Sequence, residues 1–294
     1  MEMTLMQYQT GILTSPVPDA GRHLFFKIQD AKAVPAALAR LQEWEGQAKA
    51  VLGMGKSLTQ ALGKNLPLLR VFPALTGPAV EVPSTQKALW CWLYGTDRGK
   101  LLLQGQQLQA LLMPAFELVE TLDSFRYLDG HDLSGYEDGT ENPQDEDALA
   151  AILAEDAPGG TYVAVQKWQH NLARMAGFAQ QEQDHIIGRR LSDNEELEEA
   201  PEFAHVKRTA QESFEPEAFM VRKSMPWIEG ERSGLHFVSF VKNLDAFEVQ
   251  LRRMVGEEDA IVDGLFRFSQ PLTGGYYWCP PVKNGKLDLS FLLS

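Results

Sequence analysis

A chain of 294 residues, 44% hydrophobic and 23% charged, can bury a large core and needs no covalent staples to fold. Its net charge of -13, from 40 acids against 27 bases, argues against a nucleic-acid partner, because such a surface repels phosphate. Its two cysteines, Cys91 and Cys279, lie outside any C-x-x-C pair, which excludes a disulfide framework, a zinc ribbon and a thiolate-held iron–sulfur cluster.

The opening Met1-Glu2-Met3-Thr4-Leu5-Met6-Gln7-Tyr8 has neither the cationic nor the apolar region of an export signal. No apolar run approaches the roughly 20 residues of a membrane span. The expectation is a cytoplasmic protein without a membrane anchor. Residues 23–28 form an apolar run of strand length, and Val34, Leu38 and Leu41 then line one helical face, with Pro35 tolerable in the first turn. Gly53-Met54-Gly55-Lys56-Ser57 imitates the end of a phosphate-binding loop. The required glycine five residues before Gly55 is replaced by Ala50, so a nucleotide site is not expected. Residues 88–94 predict a second strand and 101–113 a helix. In the second half, 161–166 and 235–240 predict strands, and Phe247, Leu251 and Met254 mark a helix closed by Gly256.

Two strand–helix units in each half predict an α+β protein built by duplication. The expected architecture is two ferredoxin-like halves, each an antiparallel sheet with peripheral helices. The polar, turn-forming 141–147 places the boundary, giving halves 1–143 and 144–294. Acids in 192–202 read as a solvated face.

No histidine pair has the i, i+4 spacing of a helical metal site. His23 and His236 read as half-buried strand residues, His170 as exposed and His185 as lying on a helix flank. His131 and His205 lie near the segments richest in functional residue types. Chief among those segments is Gly135-Tyr136-Glu137-Asp138-Gly139-Thr140-Glu141-Asn142-Pro143, where two glycines can present an acid on a tight loop. By itself Asp138 there reads as a turn cap.

That motif, however, closely resembles the signature of the dye-decolourising peroxidases, haem peroxidases of the dimeric α+β barrel superfamily. Four further segments resemble the family in the same order: His205-Val206-Lys207-Arg208, Val221-Arg222-Lys223-Ser224, Gly234-Leu235-His236-Phe237 and the run from Phe266 to Trp278. The resemblance is to the small cytoplasmic bacterial branch and extends over essentially the whole chain. It implies a haem b peroxidase that reduces hydrogen peroxide and oxidises one-electron donors such as dyes and phenolics, working as a homo-oligomer. The alternatives are a haem carrier or sensor, or iron release from haem.

The resemblance also implies residue roles. His205 is the iron ligand, with Asp263 as the carboxylate behind it. Asp138 and Arg222 are the catalytic pair on the opposite face, and Leu235 and Phe237 keep that pocket small and dry. Arg208 is a candidate partner for a haem propionate, and Ser224, Thr140 and Asn142 are further candidates for haem contact. Bulky donors cannot enter a closed pocket. Trp168, Trp227, Tyr276, Tyr277 and Trp278 are therefore candidates for electron transfer as well as for core.

Overall fold

The computed structural model describes residues 7–157 and 159–294; Met1 to Met6, read above for an export signal, lie outside the described residues. Ten strands carry the architecture. They are β1 (Ala20–Ile28), β2 (Ala50–Met54), β3 (Leu89–Gly95), β4 (Phe116–Phe125) and β5 (Thr161–His170), then β6 (Val221–Arg222), β7 (Met225–Glu229), β8 (Arg232–Val241), β9 (Ser269–Pro271) and β10 (Gly275–Cys279).

The two separate sheets expected from the duplication do not form. Eight strands close instead into one antiparallel barrel, in the order β5-β10-β2-β3-β1-β4-β7-β8 and back to β5, with β9 and β6 added outside on β5 and β8. Strands before residue 143 supply four adjacent staves and strands after it the other four. Pairing is long inside each set, as in the eight residue pairs from Gly234↔Gln169 to Val241↔Tyr162. It is narrow at the two seams, Trp278↔Met54 and Ser124↔Trp227. Closure satisfies edges that two open sheets would leave bare.

Burial follows from closure. Residues 161–168 of β5 are all buried, so this strand has no solvent face and shows no polar alternation. One set of alternate side chains, including Phe25, Trp90, Val163, Val165, Val238 and Phe240, fills the barrel. The other set meets the helices packed outside, among them α1 (Val34–Gln42), α2 (Arg98–Leu112), α3 (Gln180–Ile187), α4 (His205–Arg208) and α5 (Asp245–Met254). Helix α5 follows the spacing read from the sequence. Phe247, Leu251 and Met254 are buried, acids open the helix, Arg252 and Arg253 close it, and Gly256 follows at φ +82°. The glycines of the loop imitation serve packing, since a Cβ on Gly53 would sit 2.7 Å from Tyr277 and one on Gly55 2.2 Å from the Lys87 carbonyl.

Two histidines lie inside the barrel. His23 accepts from Trp90 Nε1 at 3.3 Å and meets Ser124 Oγ at 3.2 Å. His236, 4.1 Å from it between ring centroids, has no partner for either ring nitrogen among the described residues. Burial, with the nearby Lys167 charge, pushes His236 down to about 3, and burial with His236 pushes His23 down as well. A folded-state pKa below the unfolded value of about 6.5 means that only the unfolded chain takes up a proton as the pH falls. Stability is therefore whole above about pH 6.5 and lost towards pH 3, at roughly 1.4 kcal/mol per pH unit for one such group. Urea midpoints should fall steadily between pH 6.5 and 5, and His236→Gln, which does not titrate, should flatten that slope whatever it does to the midpoint at pH 7. Equal slopes in the two proteins would refute the assignment.

Candidate functional site

Outside the barrel, the outward side chains Gln166, Trp168 and His170 of β5 and Leu235 and Phe237 of β8 form one wall of a cavity. Helix α5 forms another with Phe247, Gln250, Leu251 and Met254. The cavity and its mouth together span about 620 Å³ free of protein atoms, part of it open solvent. His205, Asp138 and Arg222 line it as well.

His205 opens the short helix α4, and its Nδ1 lies 2.8 Å from Asp263 Oδ2. Asp263 is 1% exposed, and its other oxygen accepts the Leu265 N–H at 2.8 Å. A carboxylate at Nδ1 sets the tautomer, so the proton sits there and the Nε2 lone pair is left for the cavity. Nε2 has no hydrogen-bond partner among the described residues. The next residue, Gly264, brings the chain close: a Cβ there would stand 2.7 Å from the Ile186 carbonyl.

Asp138 and Arg222 are brought together by backbone clamps. Gly135 and Gly139 adopt φ +96° and +81°, turning the loop so that Asn142 faces Arg222. Asn142 Oδ1 accepts the Arg222 N–H at 2.8 Å, and its Nδ2 donates to the Arg222 carbonyl at 2.9 Å. Gln211, 6% exposed, ties the same loop and strand, donating to the Glu141 carbonyl and accepting from the Met220 N–H, both at 2.8 Å. Arg222 Nε then lies 3.4 Å from Asp138 Oδ1, close in charge but without hydrogen-bond geometry. The guanidinium Nε is buried without a partner among the described residues, which leaves a donor in reserve at the cavity wall.

The profile of the Dyp-type peroxidase C-terminal family matches residues 129–284. The chain belongs to the Dyp-type peroxidases. It is similar to a dye-decolorizing peroxidase of Brevibacterium linens, at 30% identity over 60% of this chain and half of that protein's length. Over 97% of its length it resembles the solved dye-decolorizing protein of V. cholerae, covering 98% of that chain at 27% identity and a TM-score of 0.83. A DypB variant of Rhodococcus jostii RHA1, solved in complex with haem, aligns over 96% of this chain and 97% of its own at 25% identity and a TM-score of 0.82.

In this Dyp-type peroxidase five residues singled out in the sequence, Asp138, His205, Arg222, Leu235 and Phe237, line one cavity, with Asp263 directly behind His205. Others are placed elsewhere. Arg208, read as a propionate partner, is 4% exposed and spends both terminal nitrogens on this chain, on Asp259 at 2.7 and 2.8 Å and on the Arg253 carbonyl at 2.7 Å. Asn142 and Ser224 line an outer vestibule that also touches Asp138 and Arg222. Thr140 sits on the exposed side of the loop, accepting from Asn194 at 3.1 Å. His170 corrects the sequence reading. Its side chain is 6% exposed, because β9 pairs over the end of β5, opposing Ser269 to His170. Gln211 escaped notice in the sequence, since it sits in no glycine-rich or charged motif.

Proposed function

We propose that this Dyp-type peroxidase holds haem b in the cavity on His205 and uses Asp138 and Arg222 to activate hydrogen peroxide for the oxidation of aromatic one-electron donors. Haem-dependent peroxidase activity follows from family membership, and the assignment of roles rests on one observation. An imidazole nitrogen with no protein partner shares a largely apolar cavity with an acid and a permanent cation. Those residues fit the group: a single nitrogen ligand backed by a carboxylate, and walls of Leu235, Phe237, Phe247, Leu251 and Met254 to enclose a flat apolar ring system. When bound, haem supplies the redox chemistry of peroxide cleavage.

The chain's own residues do the rest. Asp263 fixes the His205 tautomer and makes Nε2 a stronger donor to iron. Asp138 takes the proton from one peroxide oxygen and returns it to the other. Arg222 stabilises the negative charge that grows on the departing oxygen. Asn142 acts through Arg222 by holding its backbone, and Arg208 anchors α4 to the segment after α5. Leu235 and Phe237 exclude water. The division at residue 143 puts Asp138 in the first half and His205 with Arg222 in the second.

A carrier would need no acid and arginine facing one cavity, so turnover is the favoured reading. An absorption spectrum of the haem-loaded protein, before and after one equivalent of peroxide, tests it. A shifted Soret band that a donor returns to its starting position is expected, and an unchanged band selects the carrier. Among the described residues no helix is long and apolar enough to cross a membrane. By the same family resemblance we place the protein in the cytoplasm as a homo-oligomer, and light scattering on the full chain tests the assembly.

A further inference from the structure

A second constellation lies at the edge of the cavity and has no part in the roles above. His170 Nε2 is 2.9 Å from Asp132 Oδ1, and His170 Nδ1 is 2.7 Å from Ser269 Oγ. All three side chains are nearly buried. Burial works against a charge on Asp132, but the His170 contact and the Ser134 N–H at 2.8 Å together hold its carboxyl below the ordinary range. An ionised Asp132 accepts the Nε2–H, so Nδ1 offers its lone pair to the Ser269 hydroxyl. The other acceptor near that hydroxyl, the Gln169 carbonyl at 3.4 Å, is weaker.

Ser269 also lines a wide cleft on the outside, between the hairpin of Leu75–Thr76 with Glu81–Val82 and strand β9. The cleft exposes polar and apolar surface in about equal measure, holds no basic side chain and carries one acid, Glu81. Phe266 forms part of its wall and packs on Trp168 with ring centroids 5.3 Å apart, and Trp168 lines the cavity. One residue, Ser269, thus belongs to both spaces, and one aromatic pair spans them.

We propose that this cleft docks uncharged phenolic donors, with Ser269, His170 and Asp132 receiving the phenolic proton while the electron enters the cavity through Phe266 and Trp168. The proposal rests on the peroxidase reading. The occupant is a phenol because the reaction consumes a donor, the cleft shares Ser269 with the reaction cavity and meets it through the Phe266–Trp168 ring contact, and its only charged side chain, Glu81, would repel anionic dyes. The phenolic O–H bond breaks. Its proton passes to Ser269 Oγ as the serine's own proton moves to His170 Nδ1, and Asp132 stabilises the imidazolium. Two phenols supply two electrons and two protons to one peroxide, giving two phenoxyl radicals and two waters.

The test compares 2,6-dimethoxyphenol, which must lose a proton, with ferrocyanide, which has none to lose, on haem-loaded full-length protein. In Ser269→Ala and His170→Gln the ratio of kcat/KM for the phenol over ferrocyanide should fall by about tenfold or more. The solvent isotope effect on phenol turnover should change with it. Ala79→Trp, which narrows the cleft, should raise KM for the phenol and weaken its binding to the resting protein, measured by saturation-transfer NMR. A purely structural triad would lower both donors alike and leave the ratio and the isotope effect unmoved, overturning the proposal. So would a wild-type protein that oxidises ferrocyanide yet shows no phenol binding disturbed by Ala79→Trp. A wild-type protein that oxidises neither donor overturns the peroxidase reading itself, and this proposal with it.

Discussion

His205→Ala should leave the protein folded but unable to retain stoichiometric haem. In the proposed site His205 Nε2 supplies the bond from the chain to iron; the other histidine of the cavity, His170, has both ring nitrogens engaged by Asp132 and Ser269. The substitution also strips Asp263, 1% exposed, of its donor at 2.8 Å, although the Leu265 N–H remains at the other oxygen. A buried carboxylate left short of one partner costs up to about 3–5 kcal/mol, below the roughly 5–15 kcal/mol stability of an ordinary domain. Circular dichroism should therefore report an intact fold while the Soret absorbance per mole of protein collapses. Asp263→Asn is the graded companion: it preserves the shape but weakens the acceptor at Nδ1, so haem should be retained with an altered Soret position. Stoichiometric haem with an unchanged Soret band in His205→Ala would refute the ligand assignment.

Arg222→Leu should keep haem and fold yet react with peroxide about 10²–10³ more slowly, the usual consequence of removing a preorganised donor to a developing charge. The structure separates these effects. Asn142 grips the Arg222 backbone, N–H and carbonyl both, so the clamp survives loss of the guanidinium. Among the described residues the Arg222 Nε has no hydrogen-bond partner, so its deletion breaks no hydrogen bond between them. What is lost is a cation 3.4 Å from Asp138, available when negative charge develops on oxygen. Asp138→Asn keeps the shape and deletes the base. Stopped-flow absorption of each haem-loaded variant against peroxide measures the first step directly. Wild-type rates in both variants would overturn the assignment of the pair. A slow Arg222→Leu beside a normal Asp138→Asn would give peroxide activation to the arginine and leave Asp138 to order water.

Local pattern alone was enough to read several elements. Helix α5 shows its buried face in the spacing of Phe247, Leu251 and Met254 and its end in Gly256, because helical periodicity and a positive-φ cap depend on neighbours a few residues away. The motif around Asp138, with the segments of His205 and Arg222, was legible because it resembles a known family in residue type and order. Closure of the barrel was not. A strand buried on both faces, such as residues 161–168, reads as one apolar run whichever strands flank it, and the pairing of β5 with β8 joins residues about seventy positions apart. Partner choice was hidden for the same reason. Arg208 has the right chemistry for an external carboxylate but meets Asp259 first, and His170 looks exposed until β9 covers it. Composition, local spacing and motif order determined the elements and named the candidate side chains. The tertiary fold decided which edges close, which charges are already satisfied and which side chains share a cavity, since each of these depends on long-range neighbours that no local pattern encodes.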